Sequence, residues 1–196
     1  MNDAITFSRS VISTHSSQCC VDVRSWIEAR DDADQIIGSA SLPTGWLQDI
    51  YEWGPSAWPF YWCDLASTKE MDCGVFADIA QILLERRGYL CARIQIVESA
   101  LPAQTKFWAE KWSSSDRDSS SWILDDGRVY HEALAVIVDN ELLFFDPTEH
   151  LAVGSPHSTG GSPTQIRLTE PLHGREVYWG NTKLTLGQWT QVDKTS

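Results

Sequence analysis

Val129-Tyr-His-Glu-Ala-Leu-Ala-Val-Ile-Val-Asp-Asn-Glu-Leu-Leu-Phe-Phe-Asp-Pro-Thr148 is the stretch on which the fold turns. Two apolar runs flank Asp139-Asn140, a pair that tolerates left-handed backbone, so the segment predicts two antiparallel strands joined by a tight turn. A two-residue turn sets the register: Val138 faces Glu141, Ala133 faces Asp146, and His131 faces Thr148. Alternate residues of a strand share a face. His131 and Asp146 therefore become diagonal neighbours on one side of the sheet, roughly 7–8 Å apart at Cβ and within reach of an imidazole–carboxylate hydrogen bond. A loop one residue longer would send them to opposite faces. Each residue also has a plainer reading, His131 as a satisfied histidine between buried strands and Asp146 as an Asp-Pro turn cap.

Working upstream, Lys69–Gly88 reads as a turn followed by a helix that opens at Cys73. Val75, Phe76, Ile79, Ile82 and Leu83 recur at the period of a helix with one buried stripe. Asp72 suits the N-cap, Arg86 and Arg87 suit the negative end, and Gly88 suits the stop. Cys73 thus falls in the first turn, where unpaired N–H groups and the helix dipole favour a thiolate, the nucleophilic form. The Asp72 carboxylate opposes that effect. A cysteine in such a place is also often a small buried hydrophobe. Tyr89–Val97 follows as a strand with Leu90, Ala92, Ile94 and Ile96 on one face.

The whole chain of 196 residues fits a single domain, 1–196, with its core at about 41–150. A net charge of −12 argues against binding nucleic acid or an anionic membrane surface, because both need basic patches. The first thirty residues hold no apolar core of signal-peptide length, and no stretch approaches a membrane span. The five cysteines include adjacent Cys19-Cys20 and scattered Cys63, Cys73 and Cys91, which outline neither a disulfide framework nor a metal knuckle. A reducing, cytoplasmic setting is the expectation.

The remaining segments are less regular. Residues 1–20 read as a strand or a loose arm, and Val21–Gly38 as an acidic surface helix. Ser41–Trp62 is dense in aromatics and broken by Pro43, Pro55 and Pro59, so it reads as packed core or as the wall of an apolar cleft. Residues 98–128 form a long polar, Ser-rich connection holding Trp108, Trp112 and Trp122, either a flexible loop or a lid. Residues 151–165 read as a Gly/Ser/Pro-rich loop. Residues 175–192 read as a second hairpin turning at Gly180-Asn181.

Cys73, His131 and Asp146 together have the parts of a nucleophilic triad: a thiol, a base to take its proton, and a carboxylate to fix the base's tautomer. The order is a cysteine starting a helix, a histidine on a later strand and an aspartate on the next, in the pieces Asp-Cys-Gly, Tyr-His-Glu-Ala and Phe-Asp-Pro-Thr. It resembles the transglutaminase-like cysteine superfamily. The 15-residue step from His131 to Asp146 is similar to the arylamine N-acetyltransferase branch of that broad group. The resemblance covers about residues 62–150. It implies an α+β, papain/transglutaminase-like core, the cysteine helix packed on an antiparallel β-sheet.

The resemblance also implies acyl transfer through a cysteine thioester, without metal or organic cofactor, between an acyl donor and an amine acceptor (small molecule, peptide or carrier-bound). The chain departs from both branches. Lys69-Glu-Met-Asp stands where the acetyltransferases carry Arg-Gly-Gly-x, and Val75-Phe76 stand where transglutaminases carry a Trp beside the cysteine. Trp62 or Trp58 is the expected side-chain donor to the oxyanion, beside the Cys73 N–H. Amide formation or transamidation, hydrolysis by the same triad, and a non-catalytic module gripping a peptide remain alternatives. A zinc reading of His131-Glu132 fails because Ala135 occupies the second histidine position. Glu149 and His150 beside Asp146 are the remaining candidate ligands.

Overall fold

A computed structural model describes residues 12–13, 35–37, 40–42, 44–56, 60–61, 64–65, 67–113, 122–124, 126–153 and 161–192. In chain order they hold β1 (Ile12–Ser13), β2 (Gln35–Ile37), β3 (Ala40–Leu42), α1 (Trp46–Ile50), β4 (Glu52–Trp53), β5 (Phe60–Tyr61) and β6 (Glu70–Met71). Next come α2 (Cys73–Arg86), β7 (Leu90–Ser99), α3 (Pro102–Trp112), β8 (Arg128–Val138), β9 (Glu141–Asp146) and β10 (Leu151–Ala152). The last are β11 (Ser162–Leu168), β12 (Tyr178–Trp179), β13 (Thr182–Lys183) and β14 (Thr190–Gln191). One six-stranded sheet, ordered β10-β9-β8-β7-β11-β14 and antiparallel throughout, organises the chain. With helices packed on it, the class is α+β. Among the described residues no helix is long and apolar enough to cross a membrane.

The turn between β8 and β9 has the predicted length. Asp139 and Asn140 have φ of 48° and 70°, the two left-handed residues that a type I′ turn requires. The ladder runs from Val138↔Glu141 to Leu134↔Phe145 in the expected register. β7 lies at the centre, paired along Leu90↔Ile137 to Ser99↔Arg128 with β8 and flanked by β11 on its other edge. Its alternation separates two cores. Cys91, Leu134, Val136 and Phe145 join Val75, Phe76, Ile79, Leu83 and Leu84 of α2. Ala92, Ile94, Ile96, Ala133 and Ala135 face Ile166, Leu168, Leu172, Val177, Leu184 and Val192 instead. Within α2, Leu84 is buried and Ile82 only half-buried, a small rotation of the expected stripe.

Local signals at the ends of α2 hold. The Asp72 carboxylate caps the helix by accepting the Val75 N–H at 3.0 Å. Gly88 ends it with φ +84°, a conformation that costs glycine least. β12 and β13 form the expected hairpin over Gly180-Asn181.

Other readings need correction. Gln35–Ile37, inside the expected acidic helix, is a strand paired with β3, and the rest of that segment lies outside the described residues. The connection at 98–128 is not loop throughout, because α3 occupies eleven residues of it with Pro102 at its first position. The expected loop at 151–165 contains the start of β11, which tolerates Pro163 at a register shift beside β7. Of the two readings of Ser41–Trp62, packed core is the one its described aromatics show. Trp46, Tyr51 and Phe60 are core, while Trp53 joins a separate tryptophan cluster.

Candidate active site

The site begins where a ladder ends. The β8–β9 ladder stops at Leu134↔Phe145, short of the expected Ala133–Asp146 and His131–Thr148 pairs, while Asp146 pairs with Leu151 of β10 on the other edge. His131 is bounded by its partner Ile96 of β7 on one side and by the end of β9 on the other. Asp146 Oδ2 lies 2.8 Å from His131 Nε2. A carboxylate only accepts, so Nε2 carries the proton and Nδ1 is left for another partner. Asp146 Oδ1 accepts the Thr148 N–H at 2.8 Å, an Asx turn across Pro147 that holds the carboxylate plane. The Asp-Pro-Thr motif is thus both turn cap and histidine orienter.

Cys73, the first residue of α2, meets the same imidazole. Burial pushes its thiol above the ordinary value, and the hydrogen bond and charge of His131 pull the other way, with Asp72 and Glu132 adding to the rise. The expected lowering by the helix terminus is therefore overturned, because desolvation of the sulfur outweighs it. The residue as a whole is half-buried. For His131, burial favours the neutral ring. The charge and hydrogen bond of Asp146, followed by those of Cys73, carry it well above its ordinary value. Burial thus disfavours an isolated thiolate, and the His131 imidazole is the group that opposes that effect.

Beneath the first turn of α2 lies a buried polar network. Arg93, wholly buried on β7, donates to the Gly74 carbonyl at 3.0 Å and pairs with Asp78 of α2 and Glu132 of β8. Glu132 also accepts from Gln95 at 3.2 Å and from the Tyr130 hydroxyl. Burial and the Glu132 charge push the Tyr130 phenol upward, so it stays a donor. One guanidinium thereby ties the helix of Cys73 to the strand of His131. Ser56 donates at 2.6 Å to Asp72, fixing the cap from the other side.

Next to Tyr130, the rings of Trp53, Trp108, Trp112 and Trp122 pack with centroids 5.3–6.1 Å apart, the spacing of favourable aromatic pairs. Helix α3 supplies two of them. A fourth titratable group, Glu98 of β7, is buried and interacts electrostatically with His131, Asp146 and Glu149.

Of the predicted residues, the fold brings Cys73, His131 and Asp146 together, while Trp58 and Trp62 lie outside the described residues. His150 is turned to Thr44, its Nδ1 3.4 Å from the hydroxyl. Among the described residues no group of three His, Cys, Asp or Glu is placed to hold a metal ion. Sequence reasoning missed Arg93, Glu98 and Tyr130. The available signal for the first two is a charge within a mostly apolar strand, Leu90–Ser99. No family model, curated protein or solved structure matches the chain.

Proposed function

We propose that the chain is a cysteine-dependent acyltransferase on a papain/transglutaminase-like core, forming or exchanging an amide bond through a thioester. The reading is carried by one observation: a single imidazole bonded to Asp146 at 2.8 Å on Nε2 while it engages the Cys73 thiol. Cys73 Sγ attacks the carbonyl carbon of an amide, ester or thioester as its proton passes to His131 Nδ1. The tetrahedral oxyanion is held by the orphan N–H of Cys73 at the start of α2. Collapse breaks the bond to the leaving group, which takes the proton from His131, and the acyl group remains on sulfur. An amine then attacks the thioester with His131 taking its proton, the C–S bond breaks to release the amide, and Cys73 regains its proton from His131. The tryptophan cluster beside Tyr130 supports an amine acceptor over water, because it keeps that flank dry.

The test is alkylation of the intact protein with iodoacetamide across pH 6–9, with every cysteine mapped by peptide mass. Cys73 labels ahead of the other cysteines, and His131→Ala slows it about 10-fold or more. An unchanged rate in His131→Ala means that the two residues do not act together. The thioester mechanism then fails, leaving a binding module on the same fold.

A further inference from the structure

Glu98 is a buried ionisable group beside the candidate triad that the mechanism leaves unused. It sits on β7 opposite Val129, two positions along from Ile96, which pairs with His131. Glu98 and His131 are thus diagonal neighbours on one face, with Asp146 at the other side of the imidazole. The groups facing Glu98 are His131 from β8, Asp146 from β9, Glu149 from the turn after β9, and the Gly161 N–H from the segment before β11. That N–H, at 3.3 Å, is the one hydrogen bond its carboxyl accepts among the described residues. The approach is specific to glycine, since a Cβ at Gly161 would overlap the Ser99 carbonyl. The residue is only 6% exposed and its carboxyl has one long donor among the described residues, so the imidazole is the cation placed to answer its charge.

We infer that Glu98 is a positioning residue of the Cys73 centre, whose ionisation across β7 and β8 strengthens the hold of His131 on the proton taken from Cys73. The inference rests on the triad reading above. Without charge on Glu98, Asp146 alone supports the imidazolium. With it, two carboxylates flank the ring and the thiolate–imidazolium pair gains population. Burial raises the carboxyl to about 7, with Asp146 and Glu149 adding to the rise and His131 opposing it, so the change falls in the neutral range. No bond to substrate is involved. The effect is a pH-dependent gain in nucleophile.

The experiment is the iodoacetamide rate of Cys73, resolved by peptide mass across pH 5.5–9, in the wild type, Glu98→Gln, Glu98→Asp and His131→Ala, each checked for its fold by near-ultraviolet circular dichroism. The wild type shows a step in rate near pH 7. Glu98→Gln lacks the step and is about 10-fold slower at pH 8, and Glu98→Asp keeps the step at a displaced midpoint. Superimposable wild-type and Glu98→Gln profiles overturn the inference while a slow His131→Ala leaves the triad standing. Should Glu98→Gln not fold, the Glu98→Asp midpoint decides, and an undisplaced one overturns the inference. A wild-type rate in His131→Ala removes the triad reading and this inference with it.

Discussion

At the scale of the residue, Asp146 separates two explanations that share one side chain. One oxygen caps the turn through Thr148 N–H, and the other faces His131. Asparagine at this position keeps a carbonyl for the Thr148 N–H but loses the charge that raises the imidazole. The prediction is that Asp146→Asn folds normally and lowers the ionisation of His131. Cys73 alkylation at pH 7 then slows about 10-fold or more. Histidine ring titration by NMR together with the alkylation rate checks it. Wild-type values for both would reduce Asp146 to a turn cap. The thiol illustrates the same competition: helix position and imidazole favour the thiolate, burial opposes it, and burial leads.

At the scale of the element, the β8–β9 hairpin carries the geometry of the His131–Asp146 pair. The two left-handed residues at Asp139 and Asn140 make the turn short, and the short turn puts His131 and Asp146 on one face. Insertion of one glycine between Asp139 and Asn140 is therefore predicted to act at a distance. Either the strands slip by one and the two residues part to opposite faces, or the ladder holds and the turn absorbs the insertion. In the first outcome Cys73 reactivity falls to the level of His131→Ala. In the second it is unchanged, and the register is being held by Phe145 in the α2 core rather than by the turn. Slippage is the expected result, read by alkylation and by cross-strand NMR contacts between Leu134 and Phe145.

For the molecule as a whole, Arg93 joins α2 to the sheet and answers both Asp78 and Glu132. Its removal leaves two buried carboxylates without their cation, so Arg93→Met is predicted to destabilise by about 3–5 kcal/mol in urea unfolding. A loss below about 1 kcal/mol would show that other groups neutralise the pair. A second global prediction concerns pH. Burial raises Glu98 from 4.5 to about 7, so folding favours its protonated form. Its contribution to stability is undiminished below about pH 4.5 and declines as pH rises to about 7, by about 3 kcal/mol in all. His131, also raised, loses its contribution in the same direction, as pH climbs through its folded-state value. The stability difference between Glu98→Gln and wild type therefore grows in favour of the variant from pH 5 to pH 8. Urea midpoints at the two values measure it, and a difference independent of pH would refute it.

Short-range rules made much of this protein legible in one dimension. The Asp139-Asn140 turn, the Asp72 cap, the Gly88 stop and the alternation of β7 and β8 each depend on residues within a few positions of one another. They were enough to place Cys73 at a helix start and His131 beside Asp146. Rules of that kind do not say which distant segment lies alongside. That β11 rather than loop follows residue 161, that α3 folds its tryptophans onto Trp53, and that Arg93 finds Asp78 were decided by tertiary packing. The same packing brings Glu98 to Gly161, 63 residues on, and so puts a second carboxyl beside the imidazole. The physical reason is desolvation. Sequence names the ionisable groups, but only the folded chain determines how far each is taken out of water and which opposite charge it meets there.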